Sequence, residues 1–513
     1  MRINLGKILA ISALSLAIQN NCLASSEDLA SYKSSKGEYS RKSSREGSYV
    51  AGDMKDSGGD AASDKKSEEN YYPFELSQTK IAAENVAGMR IKGNKVILLG
   101  FNNMCSVEDL PEDCDFSELD FFRQYPKLFS VELDGLFLTE AMLENLQKFL
   151  PSTLKSFLVR SCEIKKEYYE LLADIFEKHK SLESVSVISP DLSGPESTRI
   201  LESLKDHSEI RLLSITVGEL TDVGEEYLAS LISNSFRTLE GASLGWNKIT
   251  GRDDSYRNIT EAIRKAEKLN KLEFSVVSLS ENDLGLIVEA IGDLKNLRSL
   301  KIFFGNIGAH NHIRLFENVE IFQKSLANLS KLEALDISSA GFPSDVMQLI
   351  AQSISYMKNL KTLNISGNPL DEKSARSFSD AIKETDSITT LMANDCEMDA
   401  MAFEALCKSL ANTSLMHLYF RGNSIKDGAK SLPVSSMPEL LVVDFSKNEM
   451  SYDDAMSFIE LTKDSIKLHI VNFKNNTGIE SMSSIERTIK NDQLVGWKIK
   501  NYTNGHQVSF FGL

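Results

Sequence analysis

Two histidines separated by one residue, His310 and His312, come nearest in this sequence to a metal-binding pattern. Glu317 and Glu320 follow them in the same polar insertion, and imidazole and carboxylate groups are both zinc ligands. A His-x-His pair on a polar loop is more often solvated than metal-bound, and no residue is identifiable as the remaining ligand. The sequence therefore predicts no metal site.

The motifs that carry nucleotide, nucleophile and redox chemistry are absent. The chain has no P-loop, no G-x-G-x-x-G, no G-x-S-x-G, no C-x-x-C and no H-E-x-x-H. Each of those spacings places backbone N–H groups, a nucleophile or metal ligands where the chemistry requires them. We therefore expect a protein that is not an enzyme and that needs no cofactor.

A short strand motif returns thirteen times and dominates the sequence. Its clearest copy, LKTLNISGNPL at 360–370, is apolar at positions one, four, six and eleven and has Asn at position nine. Apolar residues alternating with polar ones predict a strand with one buried face. The Asn predicts a turn, because its side chain can satisfy backbone groups that the bend leaves unpaired.

A helical pattern follows each strand. Residues 220–234, LTDVGEEYLASLISN, repeat apolar residues at spacings of three and four, as one face of a helix requires. Thr221 or Asp222 is a suitable N-cap for it. A strand and a helix of this size cannot bury their apolar faces alone, so neighbouring units must stack.

The register can be followed through the chain, with steps of 23 to 35 residues. The first apolar position is assigned to Leu128, Leu154, Leu182, Ile210, Leu239, Phe274, Leu297, Leu332, Leu360, Ile388, Leu415, Leu440 and Leu468.

This motif is the L-x-x-L-x-L-x-x-N/C-x-L pattern of leucine-rich repeats. The common step near 28 residues and the LTDxG helix start resemble the ribonuclease-inhibitor-like subfamily, over about 128–478. The resemblance implies an α/β solenoid, a horseshoe with an inner parallel β-sheet and outer helices. It also implies binding rather than catalysis, since the subfamily includes inhibitors, GTPase-activating proteins and receptor sensor arrays.

The N-terminal part differs from the repeats. Residues 1–24 are typical of a secretory signal peptide, with Arg2 and Lys7 before an apolar run that is too short to span a bilayer. Residues 25–70, rich in Ser, Gly and charge, predict a disordered leader. Residues 71–127 predict an N-terminal cap. Export through the signal peptide would leave the mature chain without a stable membrane insertion.

The C-terminal residues 479–513 predict a second cap. Ile479–Lys490 is expected to be helical, and Asn504-Gly505 is a hairpin turn signal between segments around 497–499 and 508–510.

Charge and cysteines narrow the setting. A net charge of −16 without a basic stripe disfavours nucleic acid as a partner. Cys162 and Cys396 occupy the turn position and are expected to be buried thiols, whereas Cys105 and Cys114 could form a disulfide or remain reduced. By analogy with the family, a signal peptide ahead of such repeats implies a bacterial protein, periplasmic or secreted, of the kind delivered to host cells as an effector.

The inner sheet is the expected binding face, and its exposed aromatic and basic residues are the candidate partner-binding residues. They are Arg160, Trp246, Phe303, Phe304, His417, Tyr419 and Arg421. For the Trp and the two Phe residues the competing interpretation is packing under the long insertions 251–265 and 305–320. Tyr419 and Arg421 have no insertion beside them.

These observations predict an exported, non-catalytic module for protein–protein recognition, with a host protein as a candidate partner. Two alternatives remain open. One is a direct inhibitor or regulator of an enzyme such as a small GTPase or a nuclease, and the other is a structural protein of the cell envelope.

Overall fold

The structure is a computed structural model that describes the repeat region and parts of both ends. The described residues are 70–72, 86–92, 95–100, 128–250, 256–277, 281–304, 315–462, 465, 467–476, 484–490, 493–500 and 508–509. Residues 1–69, and with them the expected signal peptide and most of the leader, lie outside this set. So do Cys105, Cys114, His310, His312 and the expected 504–505 turn.

Parallel strands from successive repeats form one long sheet. Its strands, together with the short β5–β7 pair and β11, are β1 Asn70–Tyr72, β2 Val86–Lys92, β3 Lys95–Gly100, β4 Ser130–Asp134, β5 Phe137–Leu138, β6 Ser156–Arg160, β7 Glu163–Ile164, β8 Ser184–Ser193, β9 Leu212–Thr221, β10 Gly241–Trp246, β11 Lys248–Thr250, β12 Lys271–Val276, β13 Ser299–Phe304, β14 Ala334–Asp336, β15 Thr362–Asn364, β16 Thr390–Met392, β17 His417–Tyr419, β18 Val442–Asp444, β19 Ile470–Asn472, β20 Ser484–Lys490, β21 Gln493–Lys500 and β22 Val508–Ser509. From β3 to β19, neighbouring repeats pair in parallel through their equivalent strands.

A helix follows most strands and packs its apolar face on one side of the sheet. The helices are α1 Glu140–Phe149, α2 Tyr169–Lys178, α3 Pro195–Leu204, α4 Asp222–Asn234, α5 Arg257–Arg264, α6 Glu281–Gly292, α7 Leu315–Ala327, α8 Ser344–Ile354, α9 Glu372–Thr385, α10 Ala400–Cys407 and α11 Tyr452–Leu461. Strands lie about 4.8 Å apart and helices are about 10 Å wide, so the helical side must be the longer, convex one. The fold is an α/β leucine-rich repeat solenoid, as the repeat pattern predicts.

The helix expected within 220–234 is confirmed as α4. Thr221 is its N-cap, with the Thr221 Oγ1 accepting a hydrogen bond from the Gly224 N–H at 3.0 Å. Within the described residues, no helix combines the length and the hydropathy that crossing a membrane would require.

The register of the sixth repeat is corrected by the strand pairing. Leu244 of β10 pairs with Phe274 of β12, which in turn pairs with Ile302 of β13. Phe274 therefore occupies position six rather than position one, and the first position belongs to the buried Leu269. The assignment of position one to Phe274 was wrong, and with Leu269 the irregular spacing on both sides of it disappears.

A ladder of buried side chains turns the chain at position nine of the later repeats. Asn423 is the clearest rung. Its Oδ1 accepts from the N–H groups of Cys396 (3.0 Å) and Met398 (3.1 Å), and its Nδ2 donates to the carbonyls of Ala393 and Phe420, both at 2.9 Å. Asn368 and Asn476 likewise accept and donate, to their own and the preceding repeat. The Asn448 amide only donates, to the carbonyls of Phe420 and Ser446, and its Oδ1 is buried without a hydrogen-bond partner among the described residues.

Strand length differs between the two halves of the sheet. In repeats three and four, where Pro190 and Gly218 carry no side chain that can hydrogen-bond to the turn, β8 and β9 each continue for ten residues. β15–β19, whose position nine is Asn or Cys, each stop after three residues. β14 is equally short with Ala340 at position nine, so the position-nine side chain does not set the strand length by itself.

Buried phenylalanines at position six support the last three repeats. Phe420, Phe445 and Phe473 stack in sequence, with ring centroids 6.0 and 6.2 Å apart. Phe403 and Phe458 from the convex side meet this stack edge-on at about 5.0 Å. Such aromatic packing fixes the spacing between the strands at this end of the sheet.

Both ends of the sheet are antiparallel. At the N-terminal end β1 pairs antiparallel with β2, and β2 pairs antiparallel with β3. At the other end β20, β21 and β22 follow β19 in antiparallel order. The helix expected over Ile479–Lys490 is wrong, because β20 occupies its described part.

Replacing Asn423 by Ala should destabilise the protein strongly. Four buried backbone groups would lose their partners, and the free energy of unfolding should fall by at least about 3 kcal/mol. Urea denaturation measures the change. Asn328 is exposed and its side chain makes none of the described hydrogen bonds, so Asn328→Ala is the matched control, expected within about 0.5 kcal/mol of the native protein. Equal midpoints for the two variants would contradict the role of the ladder.

Candidate functional site: the concave face of repeats 10–13

Four columns of side chains run across the concave side of the sheet, one residue from each repeat. They come from positions two, three, five and seven of the motif. Positions three, five and seven alternate with the buried positions four and six and point away from the core. Position two borders them at the start of the strand. In the tenth to thirteenth repeats, which begin at Ile388, Leu415, Leu440 and Leu468, these columns have a composition of their own.

In the second to ninth repeats most charges of this face are paired with one another, although Lys271, at position three of the sixth repeat, is exposed and forms no ion pair among the described residues. At position two, Lys155 lies 3.2 Å from Glu183, and Arg211 lies 2.8 Å from Glu240. The same column continues with Glu333, which pairs with Arg298 and, at 2.8 Å, with Lys361. These hydrogen bonds, first from Lys361 and then from Arg298, lower the pKa of Glu333.

From the tenth repeat onward the same columns contain a cluster of apolar residues. We define the apolar patch as Met392, Met416, Tyr419, Leu441, Val442 and Ile470, with His417 among them. Strand pairing places His417, Val442 and Ile470 side by side, and Met392 beside Tyr419. All of these side chains are at least partly exposed, and Ile470 is 38% exposed to solvent. Contiguous partly exposed apolar side chains on a soluble surface are a mark of binding sites.

Three cations lie along the other edge of the same repeats. We define the basic rim as Arg421, Lys447 and Lys474, all exposed and at positions seven and eight. Within the part of the chain that the structure describes, none of the three forms an ion pair, in contrast to the paired charges of the earlier repeats. The basic rim and the apolar patch therefore form one amphipathic surface.

The local structure holds Tyr419 and Arg421 in place. Tyr419 lies between the fully buried Leu418 and Phe420, and burial raises its pKa, with a smaller effect from Asp444. The Arg421 N–H donates to Asn394 Oδ1 at 2.9 Å. The next residue is Gly422, at φ +72°, where a Cβ would lie 1.9 Å from a carboxylate oxygen of Asp395. A side chain at this position would have to displace the Asp395 carboxylate.

Trp246 is not part of the concave surface. It is only 2% exposed, its Nε1 donates to the Tyr256 hydroxyl at 3.0 Å, and its ring packs on those of Tyr256 and Phe274. Its assignment as a partner-binding residue is wrong because β10 continues through Trp246, which points into the core in alternation with the buried Ala242 and Leu244. Packing against the residues after the 251–255 stretch is the correct interpretation.

The remaining candidate partner-binding residues lie in different parts of the sheet. Arg160 is partly exposed but pairs with Glu132 at 2.7 Å, and nine strand spacings, roughly 40 Å, separate its strand from β17. Phe303 is partly buried on the concave side of β13, and the side chain of Phe304 lies outside the described residues. The structure therefore brings His417, Tyr419 and Arg421 together and leaves Arg160 and Phe303 apart from them.

Sites for other chemistry find little support in the described residues. There, no three His, Cys, Asp or Glu side chains are placed to hold a metal ion. Cys162 and Cys396 are buried thiols as expected, and burial raises the pKa of each to about 12, which suppresses the reactive thiolate. A groove of about 410 Å³ at the start of α9 and α10 contains Asp371 and Asp399, but both carboxylates serve as helix N-caps.

Sequence reasoning missed most of the apolar patch and two of the three rim cations. Met392, Met416, Leu441, Val442 and Ile470 are ordinary residues when each motif is considered alone. A comparison of the same position across the thirteen repeats would have found them, because positions two and three change there from charged and small to apolar.

The fold is a leucine-rich repeat solenoid, and repeat proteins of this kind generally serve as non-catalytic recognition modules. The family model described as Leucine Rich Repeat matches residues 359–381, which is the ninth repeat. Over 146 residues, 28% of this chain, the sequence is 28% identical to the human (Homo sapiens) NACHT, LRR and PYD domains-containing protein 5. The match spans only 12% of that relative's length.

Two solved structures are similar at a low level. An internalin (inlF) from Listeria monocytogenes is 14% identical with a TM-score of 0.39, covering 70% of this chain and 85% of the internalin. A TLR13–ssRNA13 complex is 13% identical with a TM-score of 0.38, covering 75% of this chain and 50% of the TLR13 chain. TM-scores this low support no conclusion about the ligand or the fold of this protein. The fold is established by the register of its strands.

His417 should make stability depend on pH. Burial lowers its pKa from the ordinary value of 6.5, so the unfolded chain takes up a proton first as the pH falls. Stability contributed by neutral His417 is therefore present above pH 6.5 and declines below it. Buried His207, whose pKa is lowered for the same reason, acts in the same direction.

The measurement is urea denaturation at about pH 7.5 and 5.5, on either side of the histidine range. His417→Asn should lose less stability between the two pH values than the native protein does, and the exposed His469→Asn is the control. An equal loss in His417→Asn and the native protein would contradict the assignment.

Proposed function

We propose that this protein is a non-catalytic module for protein recognition, and that it binds its partner through the apolar patch and basic rim of repeats 10–13. One observation carries the proposal. From the second to the ninth repeat the position-two column consists largely of paired charges, whereas in repeats 10–13 the concave face groups partly exposed apolar side chains beside three cations that form no ion pair within the described residues. An aromatic residue and an arginine within such a patch are typical of interface hot spots.

We further propose the ribonuclease-inhibitor-like subfamily and export from a bacterial cell, with a host-cell protein as the partner. A full convex helix in most repeats supports the subfamily assignment. Export is supported by the sequence of residues 1–24 alone. A host protein is favoured only by analogy with exported repeat proteins of this type.

A protein suits this surface better than a nucleic acid does. The chain carries a net charge of −16, which opposes approach to a phosphate backbone. The apolar patch extends over four strands, so a partner has to cover a surface roughly 15 Å wide. A folded protein or an extended polypeptide segment can cover this area with apolar side chains.

The test is site-specific photo-crosslinking in the full chain. A benzophenone side chain is placed at position 419 in one variant and at position 356 in the other. Tyr356 is a matched control because it is a tyrosine that is 63% exposed at the end of α8, on the helical side. Extracts of the producing cell envelope and of host cells are irradiated with each variant.

The proposal predicts one or a few proteins that crosslink at position 419 and not at position 356. Unlabelled native protein should compete for them, and Tyr419→Ala should compete about tenfold or more less well, as expected for a hot spot. Proteins captured equally at both positions, or at position 356 alone, would place binding elsewhere and contradict the proposal.

A further inference from the structure

We infer that the partner presents an acidic segment with an apolar anchor, the anchor on the apolar patch and its carboxylates on the basic rim. This inference rests on the proposed function and specifies the chemistry of the partner. It follows from two features of the same concave face. The apolar patch lies towards the start of the strands, and the unpaired cations of the basic rim lie at their ends.

The register sets the spacing between the two features. His417 and Val442 occupy position three, Tyr419 occupies position five, and Arg421 and Lys474 occupy position seven of their repeats. Successive strand residues rise about 3.3 Å, so positions three and seven are about 13 Å apart along the strands. An extended segment that follows the strands would therefore place its acidic side chains about four residues from its apolar anchor.

The acidic residues nearby do not neutralise the rim. Asp444 lies beside Tyr419 in the sheet, but its carboxylate accepts hydrogen bonds from the Ser446 N–H at 2.8 Å and from the Asn472 amide at 3.0 Å. Asp395 packs against the backbone of Gly422. Glu449 pairs with Lys426 at 3.4 Å. The rim cations thus remain available, and carboxylates are the complementary groups.

The rim cations contrast with cations of the same types elsewhere on this face. Arg160, Lys301 and Lys361 each have a carboxylate from a neighbouring repeat within 3.0 Å. In the rim, the neighbouring repeats supply Ser446, Gly422 and Asn475 at the equivalent positions instead. A partner carboxylate would supply the interaction that adjacent repeats supply at the other positions.

The experiment is selection of a phage-displayed random peptide library on the full chain. Two variants are used in parallel. The rim variant carries Arg421→Glu, Lys447→Glu and Lys474→Glu. The control variant carries Lys373→Glu, Lys383→Glu and Lys408→Glu, the same change of net charge at exposed cations of the helical side. Circular dichroism and thermal unfolding confirm that both variants are folded.

The native chain and the control variant should enrich peptides with an aromatic or aliphatic anchor and Asp or Glu about four residues away. Affinity of a selected peptide should fall about tenfold or more in the rim variant and in Tyr419→Ala, and it should remain within about twofold in the control. The rim variant itself should select Lys or Arg in place of the acids.

Peptides that require Tyr419 but show no acidic preference, or a library that yields no peptide dependent on Tyr419, would overturn this inference. The proposed function would then still be decided separately by crosslinking at position 419. A single-stranded oligothymidine is the second probe. If it bound with dependence on both Tyr419 and the rim while peptides did not, the inference of an acidic segment would be wrong.

Discussion

From the ninth repeat onward the structure depends on one recurring set of hydrogen bonds, those that the position-nine side chain makes with the backbone of its own turn and of the preceding repeat. A tight turn after each short strand leaves buried N–H and carbonyl groups, and leaving these unpaired is costly. One Asn amide can donate and accept at once, so it satisfies both kinds of group. Some of these bonds close the turn of the repeat itself, and others reach the backbone of the preceding repeat. They therefore also hold neighbouring repeats together.

This constraint also underlies the functional surface. In the last five repeats, where Asn or Cys closes the turn, the strands are three residues long, and position seven, which Arg421 and Lys474 occupy, lies just beyond them. The stacked Phe420, Phe445 and Phe473 fix the strands behind the same surface. The apolar patch therefore lies on the part of the sheet with the Asn and Cys ladder and an aromatic core, a rigid support suited to recognition.

The sequence was sufficient for the fold because the spacing of the apolar residues and the Asn positions leaves few alternatives. It failed where two patterns fit equally well. Leu269, Leu272 and Phe274 alternate in the same way as Phe274 and the residues after it, so the repeat could be placed in either register. In the sequence, isoleucines four residues apart, as at 485 and 489, are compatible with a strand as well as with a helix, and the structure has a strand there.

The binding surface was predictable only in part. Tyr419 and Arg421 follow from the register, because positions five and seven alternate with buried neighbours. Trp246 could not be placed, since the direction of a position-eight side chain depends on how the turn closes. The unpaired state of the rim is a property of the neighbouring repeats rather than of the cations, and it becomes visible only when all columns are compared.

The most direct test of the account is hydrogen–deuterium exchange on the full chain, with and without the protein captured at position 419. The account predicts slower exchange in the segments that hold β16, β17 and β18 and the turns after them, at residues 390–396, 417–423 and 442–448. Helix α9, at Glu372–Thr385 on the opposite side, should exchange at the same rate in both states. Protection confined to the helices or to the repeats before the ninth would contradict the account.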